Sequence, residues 1–226
     1  MVNYFSTSFT LGILGGGQLG KMLLTETRKF DVKTHVLDPS PEAPGKYGCN
    51  YFEIGNLQDF DTVYNFGKKV DVLTIEIENV NLDALYQLEQ EGIKVFPSPD
   101  TLSKIQNKGT QKTFYKTHKI PTAPFRVFEN KHALNEALVR KEIHYPFVWK
   151  SCVGGYDGRG VQIIRDAEDI IPLPDGSCLA EKKIAFTHEL AVIVARNPSG
   201  SVEAYPVVEM EFHPEANQVE YVLCPA

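Results

Sequence analysis

The residues best suited to chemistry lie around a glycine-rich loop in the middle of the chain. Residues 154–160 contain four glycines in seven positions, Lys150 precedes them, and Arg159 lies among them with Tyr156 and Asp157 near the tip. A cation beside a backbone rich in N–H donors suits a polyphosphate, so the segment predicts a lid over a nucleotide. The G-x-x-x-x-G-K-[ST] order of a P-loop is absent. A plain surface hairpin is the alternative.

A second glycine run, at residues 15–20, follows an apolar segment and begins an amphipathic one. Its Gly-x-Gly-x-x-Gly spacing matches the dinucleotide fingerprint, and Asp38 lies near the distance expected of a ribose-binding acid. Taken alone, the run predicts an NAD-dependent oxidoreductase. The physics is less specific, because glycines let any phosphate ester approach backbone N–H groups and the positive end of a helix. A tight turn without a ligand is a further possibility.

Several carboxylates are also candidates for ligand contact. Glu181 and Glu189 flank the basic and apolar connector at residues 182–186, where the acids could accept hydrogen bonds from a ribose and the backbone could contact an adenine edge. A solvated charge run explains the same residues. Glu76 and Glu78 end a predicted buried strand, which is where open α/β sheets bind their ligands.

Strands and helices alternate in the first half of the chain, which predicts an α/β fold with a parallel sheet. Strands are predicted at residues 9–14, 34–37, 70–77 and 93–96, and helices at residues 21–29 and 82–90. We therefore predict a Rossmann-like domain over residues 1–105. The segment Phe96-Pro97-Ser98-Pro99 marks its end.

The second half of the chain makes the predicted fold α+β overall. A helix-compatible stretch at residues 103–118, a helix at 131–141 and a mobile strand–loop–strand hairpin at 147–164 predict a lid domain over residues 106–185. Strands predicted at residues 190–195, 205–210 and 219–223 form a meander that begins a third domain over 186–226. Because no helix follows to cover them, we expect a truncated chain.

The composition excludes several classes of protein. The 226 residues are 42% hydrophobic and 23% charged, which is typical of a globular protein. No apolar run approaches the ~20 residues that span a bilayer and no signal peptide is visible, so we expect a cytoplasmic protein without membrane contact. The net charge is −6 and the basic residues are scattered along the chain, which disfavours nucleic acid as a partner. The four cysteines and six histidines show no metal-ligand spacing.

Together these motifs resemble those of the carboxyaminoimidazole ribonucleotide synthetases, which are ATP-grasp ligases of purine biosynthesis. The motifs occur in the order of that family and cover nearly the whole chain. They are residues 15–22 (GGGQLGKM), 74–80 (TIEIENV), 120–124 (IPTAP), Lys150 with residues 154–160 (GGYDGRG), and Glu181 with Glu189. The GGYDGRG run is the most specific of them.

The resemblance implies that ATP drives the carboxylation of aminoimidazole ribonucleotide by bicarbonate through carboxyphosphate, with Mg²⁺ neutralising the ATP phosphates. It implies that the substrate is bound by Gly17, Gln18, Leu19 and Glu76. Catalysis is assigned by the same resemblance to Tyr156, Asp157 and Arg159. The implied ATP-binding residues are Lys108, Lys150, Gly155, Tyr156, Asp157, Gly158, Arg159, Gly160, Val161, Glu181, Lys182, Lys183, Ile184 and Glu189.

The chain departs from the family in two places. Lys108 stands where the family usually carries an arginine, and a lysine lacks the planar fork that binds phosphate at two points. At residues 209–212 the family commonly has Glu-Asn-x-His, whereas this chain has Glu-Met-Glu-Phe. Only Glu209 is kept, so we assign no ligand role to Phe212. The family's magnesium carboxylates lie beyond residue 226, so we expect no metal ligand within this chain and no turnover by the fragment alone. The family is commonly homodimeric.

Three alternatives stay open at this point. One is a sister ATP-grasp ligase, the formate-dependent glycinamide ribonucleotide transformylase, against which the Gly-Tyr-Asp-Gly-Arg lid argues. Another is an NAD-dependent oxidoreductase, for which no substrate-side acid or base motif is present. The third is a nucleotide-binding module without turnover.

Overall fold

The computed structural model describes residues 6–154, 160–213 and 219–226. These residues form two compact units, divided between Phe114 and Tyr115. None of the helices in the described ranges combines the length and the apolar character that crossing a membrane requires.

The first unit is built on one parallel sheet. Its strands are β1 (Thr10–Leu14), β2 (Lys33–Asp38), β3 (Tyr51–Ile54), β4 (Val72–Ile75) and β5 (Lys94–Phe96). They lie in the order β3-β2-β1-β4-β5, and every neighbouring pair is parallel. The chain therefore leaves β1 in one direction to form β2 and β3, and returns on the other side of β1 to form β4 and β5.

Both faces of this sheet are covered, as a parallel sheet requires. Leu14 and Leu37 pack into the larger core, whereas their neighbours Ile13 and Val36 pack with Leu24 on the opposite face. Because side chains alternate along a strand, neighbouring buried residues show directly that the sheet has a core on each side.

The helices of this unit are α1 (Gln18–Thr27), α2 (Phe60–Gly67), α3 (Leu82–Gln90), α4 (Pro99–Gln106) and α5 (Lys108–Thr117), which continues past the boundary between the units.

Side-chain caps explain where most of these helices begin. Asp59, Asn81 and Ser98 each accept a hydrogen bond from a backbone N–H of the first turn of α2, α3 and α4. Asn107 does the same for α5, because its Oδ1 lies 3.0 Å from the N–H of Thr110. Helix α1 differs, since its cap is Gly17, which has no side chain to donate or accept.

The second unit contains a four-stranded antiparallel sheet. Its strands are β6 (Phe125–Phe128), β7 (Phe147–Ser151), β8 (Val161–Ile164) and β9 (Cys178–Lys182), in the order β6-β9-β7-β8. Helix α6 (Lys131–Val139) covers one face, where Leu134 packs with Trp149 and Ala180. Short 3-10 helices occur at Pro44–Tyr47 in the first unit and at Glu168–Ile170 in the second.

The remaining strands of the second unit are exposed on most of their surface. Strands β10 (Glu189–Ala191), β13 (Val208–Phe212) and β14 (Val219–Leu223) form one antiparallel sheet in the order β10-β13-β14. Strands β11 (Val194–Arg196) and β12 (Val202–Ala204) form a separate hairpin.

The structure confirms the predicted alternation and the hairpin made by β7 and β8, and it corrects four details. The predicted strand at 70–77 is shorter, since β4 ends at Ile75. The stretch at 103–118 belongs to two helices that Asn107 separates. The predicted strand at 190–195 divides into β10 and β11, which lie in different sheets, and residues 205–207 lie between strands instead of beginning one. Strand β10 therefore pairs with β13 and not with its neighbour in sequence, as a meander would require.

Candidate functional site

The glycine run of the first unit forms a tight connection between β1 and α1. Gly15 adopts φ +101°, a conformation that glycine enters easily and other residues rarely adopt. The N–H of Gly45 donates to the carbonyl oxygen of Gly16 at 2.7 Å and fixes the loop from the other side. Gln18 and Leu19 begin α1 with exposed side chains. The first N–H groups of a helix have no acceptor within it, so this end can donate to an anion.

Glu76 lies directly beneath this loop. Its own N–H donates to the carbonyl oxygen of Leu14 at 2.8 Å, which places it just beyond the end of β4. A Cβ atom added to Gly15 would collide with Oε2 of Glu76, and one added to Gly17 would lie 3.0 Å from Oε1. The four residues predicted to bind the substrate, Gly17, Gln18, Leu19 and Glu76, are therefore brought together. Glu78, the second acid of that segment, is exposed.

Asp38, the last residue of β2, is hydrogen-bonded to the backbone around the first glycine loop. One of its carboxylate oxygens accepts the N–H of Gly16 at 2.7 Å, and the other accepts the N–H of Ser40 at 2.8 Å. The side chain is buried. These contacts give Asp38 a structural role in holding the first glycine loop, and its contact with a dinucleotide ribose stays a prediction.

Lys150 and Glu181 form the central pair of the second unit. The Nζ atom of Lys150 on β7 lies 2.8 Å from Oε2 of Glu181 on β9. Glu181 is the buried partner, and Lys150 is partly exposed. Two residues that the sequence separates by about thirty positions are thus neighbours on one sheet, as the family resemblance requires if both contact ATP.

The connector that follows Glu181 is open to solvent. Lys182, Lys183 and Ile184 are all exposed, and the N–H of Lys182 donates to the carbonyl oxygen of Pro124 at 2.8 Å. Glu181 and Lys182 border a cavity of about 610 Å³ at this end of the sheet. Its other lining residues are Pro124, Phe125, Arg126, Glu142, Ile143, His144, Tyr145, Pro146, Phe147 and Ala180.

Glu189 begins β10 and lies beside a cavity of about 490 Å³. His188, the residue before it, pairs through Nδ1 with Oε1 of Glu209 on β13. This hydrogen bond and the charge of Glu209 raise the pKa of His188 above its usual value of 6.5. Nothing in the sequence selects His188, because Glu209 is 21 positions away and reaches it only through the pairing of β10 with β13.

Some of the remaining predicted site residues lie within the described ranges, and others lie outside them. Lys108 is the first residue of α5 in the first unit. Gly160 and Val161 lie where β8 begins, and the N–H of Ser151 donates to the carbonyl oxygen of Gly160 at 2.8 Å. Gly155, Tyr156, Asp157, Gly158 and Arg159 lie outside the described residues.

The part of the chain that the structure describes contains no cluster of side chains able to hold a metal ion by themselves. Within those ranges no three His, Cys, Asp or Glu side chains are grouped closely enough to hold a metal ion. The four cysteines are all reduced. Burial raises the pKa of the Cys49 and Cys178 thiols, which keeps both thiols protonated.

Comparison with known proteins places this geometry in a family. The chain matches the model of the ribonucleotide synthetase preATP-grasp domain over residues 8–106 and that of the ATP-grasp domain over residues 113–226. It is 35% identical over 212 residues to the phosphoribosylaminoimidazole carboxylase of Candida glabrata, a match that covers 89% of this chain and 36% of that protein.

Two further proteins are similar over almost the whole chain. The N5-carboxyaminoimidazole ribonucleotide synthase of Bacillus subtilis is 31% identical over 208 residues, or 90% of this chain and 54% of that protein. The crystal structure of N5-carboxyaminoimidazole synthase from Aspergillus clavatus, in complex with ADP and 5-aminoimidazole ribonucleotide, superposes with a TM-score of 0.84 at 31% identity. That match covers 99% of this chain and 58% of the other. This chain thus spans 36% to 58% of the length of these three proteins. The chain belongs to the ATP-grasp family, with a ribonucleotide synthetase preATP-grasp domain preceding its ATP-grasp domain.

Proposed function

We propose that this protein carboxylates aminoimidazole ribonucleotide with ATP and bicarbonate to give N5-carboxyaminoimidazole ribonucleotide, ADP and phosphate, a step of purine biosynthesis. The observation that supports the proposal is that each unit contains its own group of residues suited to a phosphorylated ligand. The first unit offers an uncapped helix start beside Glu76. The second offers the pair of Lys150 and Glu181. Two separate sites suit a reaction that joins a ribonucleotide to a group activated by ATP.

The proposed chemistry explains why a nucleotide is needed. Bicarbonate is a poor electrophile, and transfer of the terminal phosphoryl group of ATP to one of its oxygens gives carboxyphosphate and ADP. The amine of the substrate then attacks the carboxyl carbon, the carbon–oxygen bond to phosphate breaks, and the amine nitrogen loses a proton. A closed lid would protect carboxyphosphate from water.

The residue roles follow from charge and position. Lys108 and Lys150 would neutralise phosphate charge on ATP, while the backbone from Glu181 to Ile184 would contact the adenine and Glu189 the ribose. Gln18 and Leu19 would donate N–H groups to the substrate phosphate. Tyr156, Asp157 and Arg159 would serve bicarbonate and carboxyphosphate, with Gly155, Gly158, Gly160 and Val161 forming the rest of the lid.

Mg²⁺ is proposed to accompany ATP by binding to its phosphate oxygens. No residue in the described ranges is assigned to it, because no suitable group of side chains is present there. No step of the proposed reaction is therefore assigned to the metal.

The remaining features of the proposal concern the whole protein. The strand order β3-β2-β1-β4-β5 supports a Rossmann-like description of the first unit. We retain domain limits at residues 1–105, 106–185 and 186–226, a cytoplasmic location and a homodimeric assembly as proposals. NAD is disfavoured as a ligand, because the chain matches the models of the ribonucleotide synthetase preATP-grasp and ATP-grasp domains.

Binding measurements on the wild-type protein and on Gly17→Val test the proposal. The atoms nearest to a Cβ at position 17 belong to the flexible carboxyl end of Glu76, and the backbone φ of −67° is ordinary, so we expect the fold to tolerate valine. Its bulk would block the approach of a phosphate to the helix start. We expect affinity for aminoimidazole ribonucleotide to fall at least about tenfold, with ATP affinity unchanged.

The matched control is Lys150→Ala, which should weaken ATP and spare aminoimidazole ribonucleotide. ADP release that requires both bicarbonate and aminoimidazole ribonucleotide would measure the reaction directly. Tight NAD binding that Gly17→Val abolishes, without ATP binding in either protein, would contradict the proposed function.

A further inference from the structure

Strand register places Lys150 and Glu181 side by side on one face of the sheet. On the antiparallel strands β7 and β9, Val148 lies opposite Glu181 and Lys150 lies opposite Leu179. Lys150 and Glu181 are therefore diagonal neighbours, two positions apart, and their side chains point to the same face. The distance of 2.8 Å between Nζ and Oε2 is that of a direct ion pair.

The two members of the pair differ in exposure. The side chain of Glu181 is 8% exposed, whereas that of Lys150 is 29% exposed. The carboxylate is thus the inner group and the ammonium is the outer one. A buried carboxylate needs a close cation, because losing its water without compensation is costly. The ammonium is therefore the more accessible of the two charged groups to a ligand arriving from solvent.

We propose that Glu181 is a positioning residue, whose carboxylate holds the Lys150 ammonium in place for an ATP phosphate and does not itself contact the nucleotide. This inference rests on the proposed function. An ammonium has three N–H donors, so Lys150 can keep its bond to Glu181 while it donates to a phosphate. Lysine has a long, flexible stem, and fixing it in advance reduces the ordering that binding requires.

The main chain and the side chain of Glu181 could serve ATP binding in different ways. The main chain from Glu181 to Ile184 stays available to contact an adenine edge, whatever the side chain does. The alternative is that the carboxylate accepts a hydrogen bond from the nucleotide directly. The two cases differ in whether the effect of removing the carboxylate depends on Lys150.

A double-mutant cycle on the purified protein distinguishes them. Calorimetry would give the ATP affinity of the wild type, Glu181→Gln, Lys150→Met and the double variant. We expect Glu181→Gln to weaken ATP about tenfold, the size of one ordinary charge-assisted hydrogen bond. The same change should have no further effect once Lys150 is methionine, because the carboxylate would then have no ammonium to position.

Two further measurements exclude a merely structural role. Adenosine has no phosphate, so its affinity should be the same in the wild type and in Glu181→Gln. The control variant is Glu136→Gln, which removes another acid from the same unit. Glu136 lies on α6, where it pairs with Arg140 one helical turn away and does not line the cavity beside Glu181. Glu136→Gln should leave ATP affinity unchanged.

Specific outcomes would overturn the inference. Equal weakening by Glu181→Gln with and without Lys150 would mean that the carboxylate contacts the nucleotide. Equal loss of ATP and adenosine would mean that the substitution damages the unit. Absence of ATP binding by the wild type would remove the proposed function, and this inference with it. If Glu181→Gln does not fold, the cycle is repeated with Glu181→Asp, which keeps the charge but shortens the reach to Lys150.

Discussion

Asp38 supports the first glycine loop, although its spacing from that loop in the sequence is typical of an acid that binds a ribose. Its two carboxylate oxygens accept the N–H groups of Gly16 and Ser40, at 2.7 and 2.8 Å. We expect Asp38→Ala to lower the free energy of unfolding by about 1–3 kcal/mol, because the buried Gly16 N–H would lose its acceptor. Asp38→Asn should cost less, since one acceptor oxygen remains.

Urea denaturation monitored by circular dichroism would measure these changes. The matched control is Asp31→Ala, which removes an exposed carboxylate from the same unit and should change stability little. The structural role of Asp38 would be wrong if Asp38→Ala were as stable as the wild type.

His188 gives the clearest pH dependence among single residues. Its hydrogen bond to Glu209 and the charge of that carboxylate raise its pKa above 6.5 in the folded protein. The stability from this pair is therefore fully present below the unfolded pKa and is lost as the pH rises through the folded value. NMR titration of the imidazole should give a pKa above 6.5 that falls in Glu209→Gln.

Glu211→Gln is the appropriate control for this titration. Glu211 is on the same strand, β13, but only Glu209 raises the pKa of His188. An unshifted His188 in the wild type, or equal effects of the two substitutions, would show that Glu209 is not its partner in solution.

At the scale of elements, the packing of α1 against the β1 loop depends on Gly20. A Cβ atom at this position would lie 2.7 Å from the carbonyl oxygen of Gly15, which is backbone and cannot rotate away. Alanine is favoured over glycine within a helix by about 1 kcal/mol. Overpacking costs about 1–3 kcal/mol, so we expect the clash to prevail and Gly20→Ala to destabilise the protein.

Thermal unfolding of Gly20→Ala and of the exposed control Lys21→Ala would measure the effect. Lysine and alanine have similar helix propensities, so the control should differ little from the wild type. A stabilised Gly20→Ala would indicate that the loop shifts freely, and the close approach of helix and strand would then have no structural importance.

Elements with a strong local pattern could be predicted from the sequence, and others could not. Strands β1 and β4 at the centre of the first sheet are mostly apolar, which is typical of strands buried on both faces. Strand β3 was not predicted, because it is an edge strand with the mixed sequence Tyr-Phe-Glu-Ile and no fully buried residue. Strand β9 was not predicted either, since it is defined by its pairing with β6 and β7, which are distant in sequence.

The same limit applies to the candidate site. The sequence predicted that Glu76 ends a buried strand at a ligand-binding edge, and only the family resemblance assigned it to the same substrate as the first glycine loop. It named Lys150 and Glu181 through the family resemblance but could not show that they touch. That contact depends on the register of β7 against β9, which a single sequence does not reveal.

At the scale of the whole molecule, burial differs strongly along the chain. Strands β1, β2 and β4 contribute Ile13, Val36 and Leu73, which are completely buried. By contrast, every residue of β14 is exposed, and so is every residue of the hairpin made by β11 and β12. Regions with few buried apolar contacts open at low free energy, even when their backbone hydrogen bonds are formed.

The rate of amide hydrogen exchange should therefore differ from one sheet to another. We expect β10 to β14 to exchange much faster than β1, β2 and β4, because opening the exposed strands uncovers little additional apolar surface. Strands β7 and β9 provide the control within the second unit, since their residues Trp149 and Leu179 are buried and should be protected. Exchange in peptides that cover each strand can be followed by mass spectrometry at neutral pH. Equal protection of β13 and β4 would show that a surface exposed in this structure is covered in solution.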